Sequence, residues 1–357
     1  MLKIRHAILH SFDFETGEKY FSERELDLDE KTTRSYVQRT MHKCLTSADN
    51  KHGEFSEGSA FAEELGLYLR GENGFEALSM SIAQWFWEEL RRSDDLTNAD
   101  LLVTDFDEPP SAPGAGAGEQ EAAAAFDAEP KRYFALAILP RRQSFLHTVD
   151  DVDGHVSNEL VRTDATLPTP TQKIDTYAVI DVASMSIDFH DKARTIGGTE
   201  SFVIPDGLLQ CSTQASSREA IETVTRIVED VAEEYGLNTA ETVSRAKALV
   251  AQRVERDESF EPEEVGREVF EEQPQVRERY EERYEQTARE ESIPDEVPVK
   301  RGVANRMAKS HRIRTDTGID ITFPSEYSSN PTYIAFRNDD DGHIEIVIRN
   351  IAKIENR

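Results

Sequence analysis

Apolar residues recur at helical spacing in three stretches of the first hundred residues, and each stretch predicts an amphipathic helix. The first begins after Asp29, the second at Ser59, and the third runs from Phe75 to Leu90. The residues that repeat on one side of these helices are Tyr36, Val37, Thr40, Met41, Cys44 and Leu45, then Phe61, Leu65 and Leu69, then Phe75, Leu78, Ile82, Trp85, Phe86 and Leu90. An aromatic stripe like the third is typical of a protein core, and we assign it there.

Alternating or continuous apolar runs predict β-strands in the same half of the chain. The predicted strands are Ile4–Phe12, Tyr20–Leu28, Leu101–Phe106, Arg132–Leu139, Gln143–Leu146 and the alternating run Thr176–Phe189. Residues Arg132–Leu139 are apolar at both odd and even positions. This strand should therefore be buried on both faces, at the centre of a sheet.

Helix signals follow in the next hundred residues. Ser216 and Glu219 match a capping box that opens a helix. Thr239 should cap a second helix, and Pro262 falls in the first turn of a third, where proline is favoured. The segment Pro274–Ile293 is so charged that it is either an exposed helix with many Glu/Arg pairs or partly disordered.

The last fifty residues predict a small antiparallel β unit. Its strands are Ile313–Thr315, Ile319–Phe323, Tyr333–Phe336 and Ile344–Ile348, with turns at 316–318 and 340–342. The whole chain therefore predicts an α+β fold in three parts. These are an N-terminal mixed α/β domain with antiparallel strands at 1–190, a helical, acidic middle region at 191–296, and a basic segment plus the C-terminal β unit at 297–357.

A stretch rich in Pro, Gly and Ala interrupts the first domain at about 108–130. Such a composition has too few apolar side chains to offset the entropy of ordering. We predict a disordered insertion at the tip of a hairpin. Its Gly114, Gly116 and Gly118 lack the spacing of a dinucleotide-binding loop.

The charge balance is strongly acidic, with a formal net charge of −29 from 70 Asp and Glu against 41 Lys and Arg. Only 12 of the basic residues are Lys, whereas 29 are Arg. Two explanations fit this composition: adaptation to a salty cytoplasm, where carboxylate repulsion is screened, or a DNA mimic or acidic binding protein. The acids are spread over most of the chain, which favours the halophilic explanation.

One segment, Val297–Arg314, contains no acidic residue, although residues 255–296 just before it carry 17 Asp or Glu against 6 Arg. Its basic residues are Lys300, Arg301, Arg306, Lys309, His311, Arg312 and Arg314. A basic run of this kind indicates a partner that carries phosphates. The alternative is a solvated turn that forms ion pairs with its own acidic neighbour, and charge alone leaves both open. We call this segment the basic segment.

A second acid-free stretch, Pro130–Val149, would extend the surface that meets a phosphate backbone. Its basic candidates are Lys131, Arg132, Arg141 and Arg142.

Motifs for catalysis or metal binding do not emerge from the sequence. No P-loop, nucleotide fingerprint, H-E-x-x-H or G-x-S-x-G occurs. The run Asn338–Gly342 resembles a calcium loop but lacks its closing Glu, so a hairpin turn explains it. Asp175, Asp181 and Asp188 form the only triplet worth weighing as a two-metal nuclease site. We therefore expect no enzyme, no catalytic residue, no cofactor and no metal.

Cys44 and Cys211 have no C-x-x-C spacing and are expected to be reduced thiols. The N-terminus lacks the apolar core of a signal peptide, and no apolar run is long enough to span a membrane. We expect an intracellular protein with no membrane partner.

Several motifs, in order, resemble one family. They are ILHSF near the start, GEFSEGSAFAEEL followed by RGENGFEAL, the strands LLVTDF and RYFALAIL, TYAVIDVASMSIDF, and the tail that begins KSHRIRTDTGIDITF. Together they are similar to the nucleoid-associated protein family (NdpA/YejK-like), and the acidic composition suggests a halophilic archaeal member. The N-terminal ninety and C-terminal fifty residues carry most of the resemblance.

The resemblance implies a non-enzymatic protein of the cytoplasm and nucleoid that binds double-stranded DNA, with RNA as a further candidate, and that uses no cofactor. It transfers no residue-level DNA contact, so the basic residues above rest on charge alone. A homo-oligomer is expected, since single-site electrostatic binding would be weak at high salt. Two other hypotheses stay open: an adaptor that recruits DNA-processing enzymes without touching DNA, and a metal-dependent nuclease built on the aspartate triplet.

Overall fold

A computed structural model describes residues 1–110, 128–152, 155–299, 311–323, 327, 330, 332–338 and 344–353. By its internal contacts the chain divides into two compact units. Unit 1 comprises Met1–Leu45 and His52–Thr213, and unit 2 comprises Thr46–Lys51 and Gln214–Arg357. Helices accompany mostly antiparallel sheets, so the predicted α+β class is confirmed.

Unit 1 is built around a seven-stranded sheet. The strands in this part of the chain, in order, are β1 (Lys3–Asp13), β2 (Glu18–Tyr20), β3 (Lys51–Glu54), β4 (Ala99–Glu108), β5 (Lys131–Pro140), β6 (Arg142–Val152), β7 (His155–Thr166), β8 (Tyr177–Asp181), β9 (Ser186–His190), β10 (Arg194–Ile196) and β11 (Thr199–Ser201). The seven-stranded sheet has the order β2-β1-β4-β5-β8-β9-β3, whereas β6 with β7, and β10 with β11, form separate two-stranded sheets. The strand predicted from Arg132 to Leu139 is β5, which lies between β4 and β8 at the centre.

Both faces of the central strands are buried. On β4, Leu101 and Val103 belong to one apolar cluster, and Leu102 and Phe106 belong to another. Since side chains alternate across a strand, these clusters lie on opposite faces of the sheet. The helices of this unit are α1 (Lys31–Leu45), α2 (Ala60–Leu69) and α3 (Phe75–Leu90), as the apolar spacing predicted.

The helices divide between the two faces. Buried residues of α1 join the cluster of Leu102, and those of α2 and α3 join the cluster of Leu101. Ser59 caps α2, since its side chain accepts a hydrogen bond from the backbone N–H of Ala62. The aromatic stripe of α3 is core, and Trp87 stacks on Phe14 with ring centroids 5.0 Å apart.

A π-helical segment, Val203–Leu209, packs into the same cluster as α2 and α3 and was not predicted. Its backbone is held by Asp191, whose carboxylate accepts from the N–H of Ile204 at 2.7 Å and pairs with Arg194 at 2.8 Å. Burial raises the pKa of Asp191 despite these donors. The predicted boundary after residue 190 lies within unit 1, because this segment completes that unit's core.

Unit 2 contains a helical core. Its helices are α4 (Ser217–Glu234), α5 (Thr239–Asp257), α6 (Pro262–Val269) and α7 (Pro274–Glu290), accompanied by β12 (Ser259–Phe260), β13 (Val297–Pro298), β14 (His311–Arg314), β15 (Asp320–Phe323), β16 (Ile334–Asn338) and β17 (Ile344–Ile348). The capping box of Ser216 and Glu219 is present at α4. Asn238, rather than the expected Thr239, caps α5, because its side chain accepts from the N–H of Glu241.

Helix α7 is the exposed, ion-paired helix that was one of the two alternatives for its sequence. Arg279 and Arg283 both contact Glu234 of α4, at 3.2 and 2.7 Å. Arg267 of α6 contacts Glu281 of α7 at 2.8 Å. These pairs neutralise arginine charge within unit 2, and each contributes little to stability at such exposed positions.

Two strand predictions need correction. The strand predicted at Tyr20–Leu28 is short and ends at Tyr20, because Ser22 bonds to the ring of His10 and to the carbonyl of Leu9 instead of continuing a ladder. The single strand expected at Gln143–Leu146 is part of the long hairpin of β6 and β7. The four predicted C-terminal strands are present and form two antiparallel hairpins, β14–β15 and β16–β17.

The predicted position of the Pro/Gly/Ala insertion at a hairpin tip agrees with the ladder, since Glu108 of β4 pairs with Lys131 of β5. The order of residues 111–127 lies outside the described part of the chain.

His10 is a fully buried titratable group in β1. Its Nδ1 accepts a hydrogen bond from the N–H of Ser22 at 3.1 Å, and its Nε2 has no partner among the described residues. Burial lowers the pKa of His10 to about 4. The unfolded histidine, with a pKa near 6.5, therefore binds more protons than the folded one between these values. Stability from neutral His10 is complete above about pH 6.5 and is lost as the pH falls towards 4.

The variant His10→Asn should show a shallower loss of stability in acid. Asparagine offers Ser22 an acceptor oxygen but cannot titrate, so about 3 kcal/mol of the wild-type decrease between pH 6.5 and 4 should be absent. Urea unfolding at several pH values measures this. The exposed His155→Asn variant should keep the wild-type pH dependence. Equal slopes in wild type and His10→Asn would show that His10 is not the group responsible.

Gly266 in α6 is required by a close approach of Tyr280. A Cβ at this position would lie 2.0 Å from Cε1 of the Tyr280 ring. That ring is fully buried, and its hydroxyl donates to the carbonyl of Pro262 at 2.9 Å, so it has no room to move.

Gly266→Ala should therefore destabilise unit 2 by about 2 kcal/mol through overpacking, although alanine favours a helix by about 1 kcal/mol. Gly66→Ala in α2 is the matched control, because its Cβ meets only the flexible guanidinium of Arg70 at 3.1 Å and should stabilise the protein. Chemical denaturation of both variants measures the change in the free energy of unfolding that each substitution causes. Stabilisation by both substitutions would refute the proposed clash.

Candidate nucleic-acid interface

The basic segment begins at residues that are packed in the core of unit 2. Val297 and Val299 are buried, and the N–H of Val299 donates to the carbonyl of Glu258 at 2.7 Å. The candidates Lys300, Arg301, Arg306 and Lys309 lie outside the described residues. The segment's start is therefore fixed to the helical core that precedes it.

The other end of the segment is strand β14, which pairs with β15. His311 lies opposite Phe323 and Arg312 opposite Thr322 in this ladder. Arg314 is exposed and lies opposite Asp320. Cross-strand neighbours of opposite charge attract each other, so Arg314 has an acidic residue beside it.

A tight turn closes this hairpin. The N–H of Gly318 donates to the carbonyl of Thr315 at 3.0 Å, and Gly318 has a φ of +85°. Only a residue without a Cβ adopts that conformation without strain. The turn predicted at 316–318 therefore has the expected glycine, and it brings β14 and β15 into register.

Arg132 has a structural partner. Its Nη2 and Nε lie 2.5 and 3.0 Å from the carboxylate of Asp105, which is fully buried. The hydroxyl of Tyr68 donates to the same carboxylate at 2.6 Å. Burial, followed by this hydrogen bond, raises the pKa of Tyr68, and the bond to Asp105 raises the pKa of Arg132. The guanidinium charge neutralises a carboxylate inside the protein.

Arg141 is likewise paired. Its guanidinium lies 2.9 Å from Asp100, which is buried, and it also donates to the hydroxyl of Ser11. By contrast, Lys131 and Arg142 have exposed side chains, and within the described part of the chain no ion pair involves either of them. In the second acid-free stretch, Lys131 and Arg142 are therefore more available to a phosphate group than Arg132 and Arg141 are.

Strand β5 separates the two pairs of basic candidates. Lys131 and Arg132 begin the strand, whereas Arg141 and Arg142 follow its end at Pro140. Ten extended residues span about 30 Å. Neighbours in the sequence therefore lie at opposite ends of the sheet, and they do not form one patch.

The aspartates weighed as a nuclease site have separate roles. Asp175 contacts Lys173 at 3.5 Å, Asp181 accepts the N–H of Ala183 at 2.9 Å, and Asp188 bonds to His52 at 2.6 Å. Across the described residues, no group of three or more His, Cys, Asp or Glu side chains could hold a metal ion. The triplet does not converge on a common point.

Neither cysteine has the environment of a reactive thiol. Cys44 is buried and Cys211 is partly buried. Burial raises the pKa of each to about 12, so both thiols stay protonated at neutral pH.

Comparison with known families identifies the relationship. The family model described as nucleoid-associated protein YejK matches residues 8–355. The chain belongs to this family. A search of curated proteins found no match. The resemblance read from the motifs is thereby confirmed at the level of the family.

Membership of the YejK family supports a nucleoid-associated role and a nucleoid location. The match includes both acid-free stretches and spans residues of both units. In the part of the chain that the structure describes, no helix is long and apolar enough to cross a membrane.

One prominent hairpin of this YejK-family chain was not predicted from its sequence. β6 and β7 pair with each other from Arg142–Thr166 to Val152–His155 and form a sheet of their own. The signal was present as an alternation, with Phe145, His147 and Val149 spaced by two. It was obscured because polar residues surround it, and both faces of the hairpin are largely exposed.

The structural role of Arg132 can be separated from any role in DNA binding. Arg132→Ala removes one partner of a buried ion pair and should destabilise unit 1 by about 3 kcal/mol. Lys131→Ala, one residue away and exposed, should change stability by less than about 0.5 kcal/mol. Urea denaturation compares them. Equal stabilities would show that the pair with Asp105 is not needed for folding.

Proposed function

We propose that this protein binds double-stranded DNA, largely without sequence specificity, through phosphate contacts made by the basic segment. One observation carries the proposal. In a chain of net charge −29, the segment Val297–Arg314 concentrates six Lys and Arg with no acid, and it lies inside the match to the nucleoid-associated family.

The structure around the segment supports this role. Its first residues are fixed in the core of unit 2 by Val297 and Val299, and its last form β14. Charges attached at both ends to ordered elements lose less entropy on binding than charges on a terminal tail. The segment leads directly into the hairpin of β14 and β15.

Most arginines elsewhere in unit 2 are engaged by acids, as Arg267, Arg279 and Arg283 illustrate. Such arginines offer little net attraction to a phosphate. The local excess of the basic segment therefore decides where an anionic duplex can approach, and the acidic remainder of the chain repels it.

Salt should control this binding. Neutralising six phosphates gives a slope of about −5 in a plot of log affinity against log salt. A tenfold rise in salt then weakens binding by about five orders of magnitude. In the saline cytoplasm that the composition suggests, bidentate Arg–phosphate contacts and more than one binding segment per assembly would offset the loss.

We also propose that the protein acts without catalysis or cofactor, as a homo-oligomer in the cytoplasmic nucleoid, with RNA as a second polyanion that it can bind. DNA-processing enzymes are proposed partners. The composition of 29 Arg against 12 Lys supports a halophilic origin.

Replacing the six basic-segment residues Lys300, Arg301, Arg306, Lys309, Arg312 and Arg314 by Ala should abolish most duplex affinity at low salt. The remaining binding should have a slope nearer zero by about five units. Fluorescence anisotropy of several unrelated duplexes over a salt series measures both quantities, and wild-type affinities should be similar for all duplexes.

The control replaces an equal number of exposed basic residues, two Lys and four Arg, in unit 1. These are Lys3, Arg24, Lys31, Arg70, Arg91 and Arg92. This variant has the same net charge as the test variant and should keep the wild-type slope. If both variants lose affinity equally, total charge and not the basic segment determines binding.

Two further outcomes would overturn the proposed function. Absence of duplex binding at every salt concentration would favour the adaptor hypothesis. Mg²⁺-dependent cleavage of the duplex that disappears in Asp181→Asn would establish the nuclease hypothesis.

A further inference from the structure

One end of the seven-stranded sheet in unit 1 borders a small cavity of about 80 Å³. The cavity lies where α3 and β5 end and where β4 begins, so these three elements supply much of its wall. Its apolar lining consists of Phe14, Leu90, Ala99, Ile138 and Pro140. Leu90, Ala99 and Ile138 are buried, so the apolar part of the cavity reaches into the core of unit 1.

A guanidinium group is fixed in the wall of this cavity. The side chain of Arg194 lines the cavity and is only 8% exposed. Its Nη1 donates to the carboxylate of Asp191 at 2.8 Å, and its Nη2 donates to the hydroxyl oxygen of Thr176 at 2.6 Å. The hydroxyl of Thr176 in turn donates to Asp191 at 3.1 Å. The guanidinium therefore has its orientation set before a ligand arrives, which reduces the entropy lost on binding.

Two N–H groups of Arg194 are left for a ligand. A guanidinium has five such groups. Within the described part of the chain, the hydrogen bonds of Arg194 use both N–H groups of Nη1 and one of Nη2. The remaining donors are on Nε and Nη2, which share one edge of the planar group. Such an edge can bind both oxygens of a carboxylate.

The rim of the cavity carries charges of both signs. Lys192 and Asp95 are both exposed, and their charged groups lie 3.9 Å apart. Asp175 also lines the cavity and contacts Lys173 at 3.5 Å. Since the buried guanidinium is paired as well, the positive and negative charges at this site balance. A balanced site favours a ligand that itself carries one charge of each sign over an anion or a cation.

We propose that this cavity binds a small apolar α-amino acid, such as valine. The carboxylate of the ligand binds the Nε–Nη2 edge of Arg194 and the ammonium group of Lys192. The ammonium group of the ligand binds the carboxylates of Asp95 and Asp175. Its aliphatic side chain occupies the apolar part of the cavity, where it is removed from water.

The volume of the cavity limits the side chain of the ligand. An apolar cavity of about 150 Å³ holds benzene, with its six carbon atoms. By that proportion the cavity of about 80 Å³ has room for roughly three carbon atoms, which is the size of the valine side chain. A nucleotide is too large for this space.

Other small ligands fit the site less well. A purely apolar molecule would leave the free N–H groups of Arg194 without a partner, which is costly in a buried position. Among the residues that the structure describes, no group of three or more His, Cys, Asp or Glu side chains could hold a metal ion. The combination of an apolar cavity, a fixed guanidinium and rim carboxylates is matched by an amino acid.

The proposed ligand site is separate from the proposed DNA binding. The residues of the cavity belong to unit 1, whereas the basic segment belongs to unit 2. The inference therefore assigns to unit 1 a ligand-binding role of its own. Its test needs no DNA, and its failure would not affect the proposal for the basic segment.

Isothermal titration calorimetry of the full chain with L-valine tests the proposal. A ligand this small should bind with a dissociation constant of roughly 1 mM. Three compounds each lack one part of valine: glycine lacks the aliphatic side chain, 3-methylbutanoate lacks the ammonium group, and 2-methylpropylamine lacks the carboxylate. Each should bind at least about 10-fold more weakly than L-valine, because each loses one of the three contacts.

Two variants locate the binding site. Ala99→Val fills part of the cavity at a strand position where valine is favoured, so the protein should fold but bind L-valine at least about 10-fold more weakly. Lys192→Ala removes an exposed ammonium group and should weaken L-valine binding about 5-fold. The matched control is Lys3→Ala, an exposed lysine at the opposite end of β1 from Phe12, the residue that pairs with Ala99. This variant should bind L-valine like wild type.

Absence of L-valine binding up to about 20 mM, well above the expected dissociation constant, would overturn the proposal. Equal binding of L-valine by wild type and Ala99→Val would also overturn it, since the ligand would then lie elsewhere. If 3-methylbutanoate bound as tightly as L-valine, the site would recognise a carboxylic acid and not an amino acid.

Discussion

Burial of the central sheet on both faces is the constraint on which the rest of unit 1 depends. β4 and β5 have apolar side chains on both sides, and helices cover each side. A carboxylate on such a strand must find a partner, because an unpaired buried charge is costly. Asp100, Asp105 and Asp107 of β4 are each buried, and their partners are Arg141, Arg132 and Arg5. Arg132 and Arg141, which charge alone suggested as DNA-binding residues, are therefore paired with carboxylates of the sheet.

Carboxylates also neutralise most of the arginine charge in the helices of unit 2. Its helices carry many more acids than bases, and their arginines contact glutamates of neighbouring helices. Only the acid-free run after Val297 departs from this balance. This local excess of charge against an acidic background is the basis of the DNA binding that we propose, and salt should then govern its affinity.

Salt opposes the DNA binding that we propose, because electrostatic contacts with phosphate weaken as counterions are added. One basic segment alone would then bind a duplex weakly at high salt. Linking two segments in one assembly would raise the effective concentration of the second contact.

The α+β class, the helices with apolar stripes, the central position of β5 and the capping box at Ser216 could all be predicted from the sequence, because these features depend on residues close together in the chain. It also located the acid-free segments and the family. The pairing of Arg141 with Asp100, the separation of Lys131 from Arg142 by β5, and the exposure of the apolar residues on the β6–β7 hairpin required the three-dimensional structure. The reason is physical: periodicity specifies which face of an element is apolar, but pairing across a ladder joins residues far apart in the sequence. Whether a charged side chain is neutralised or available depends on that distant partner.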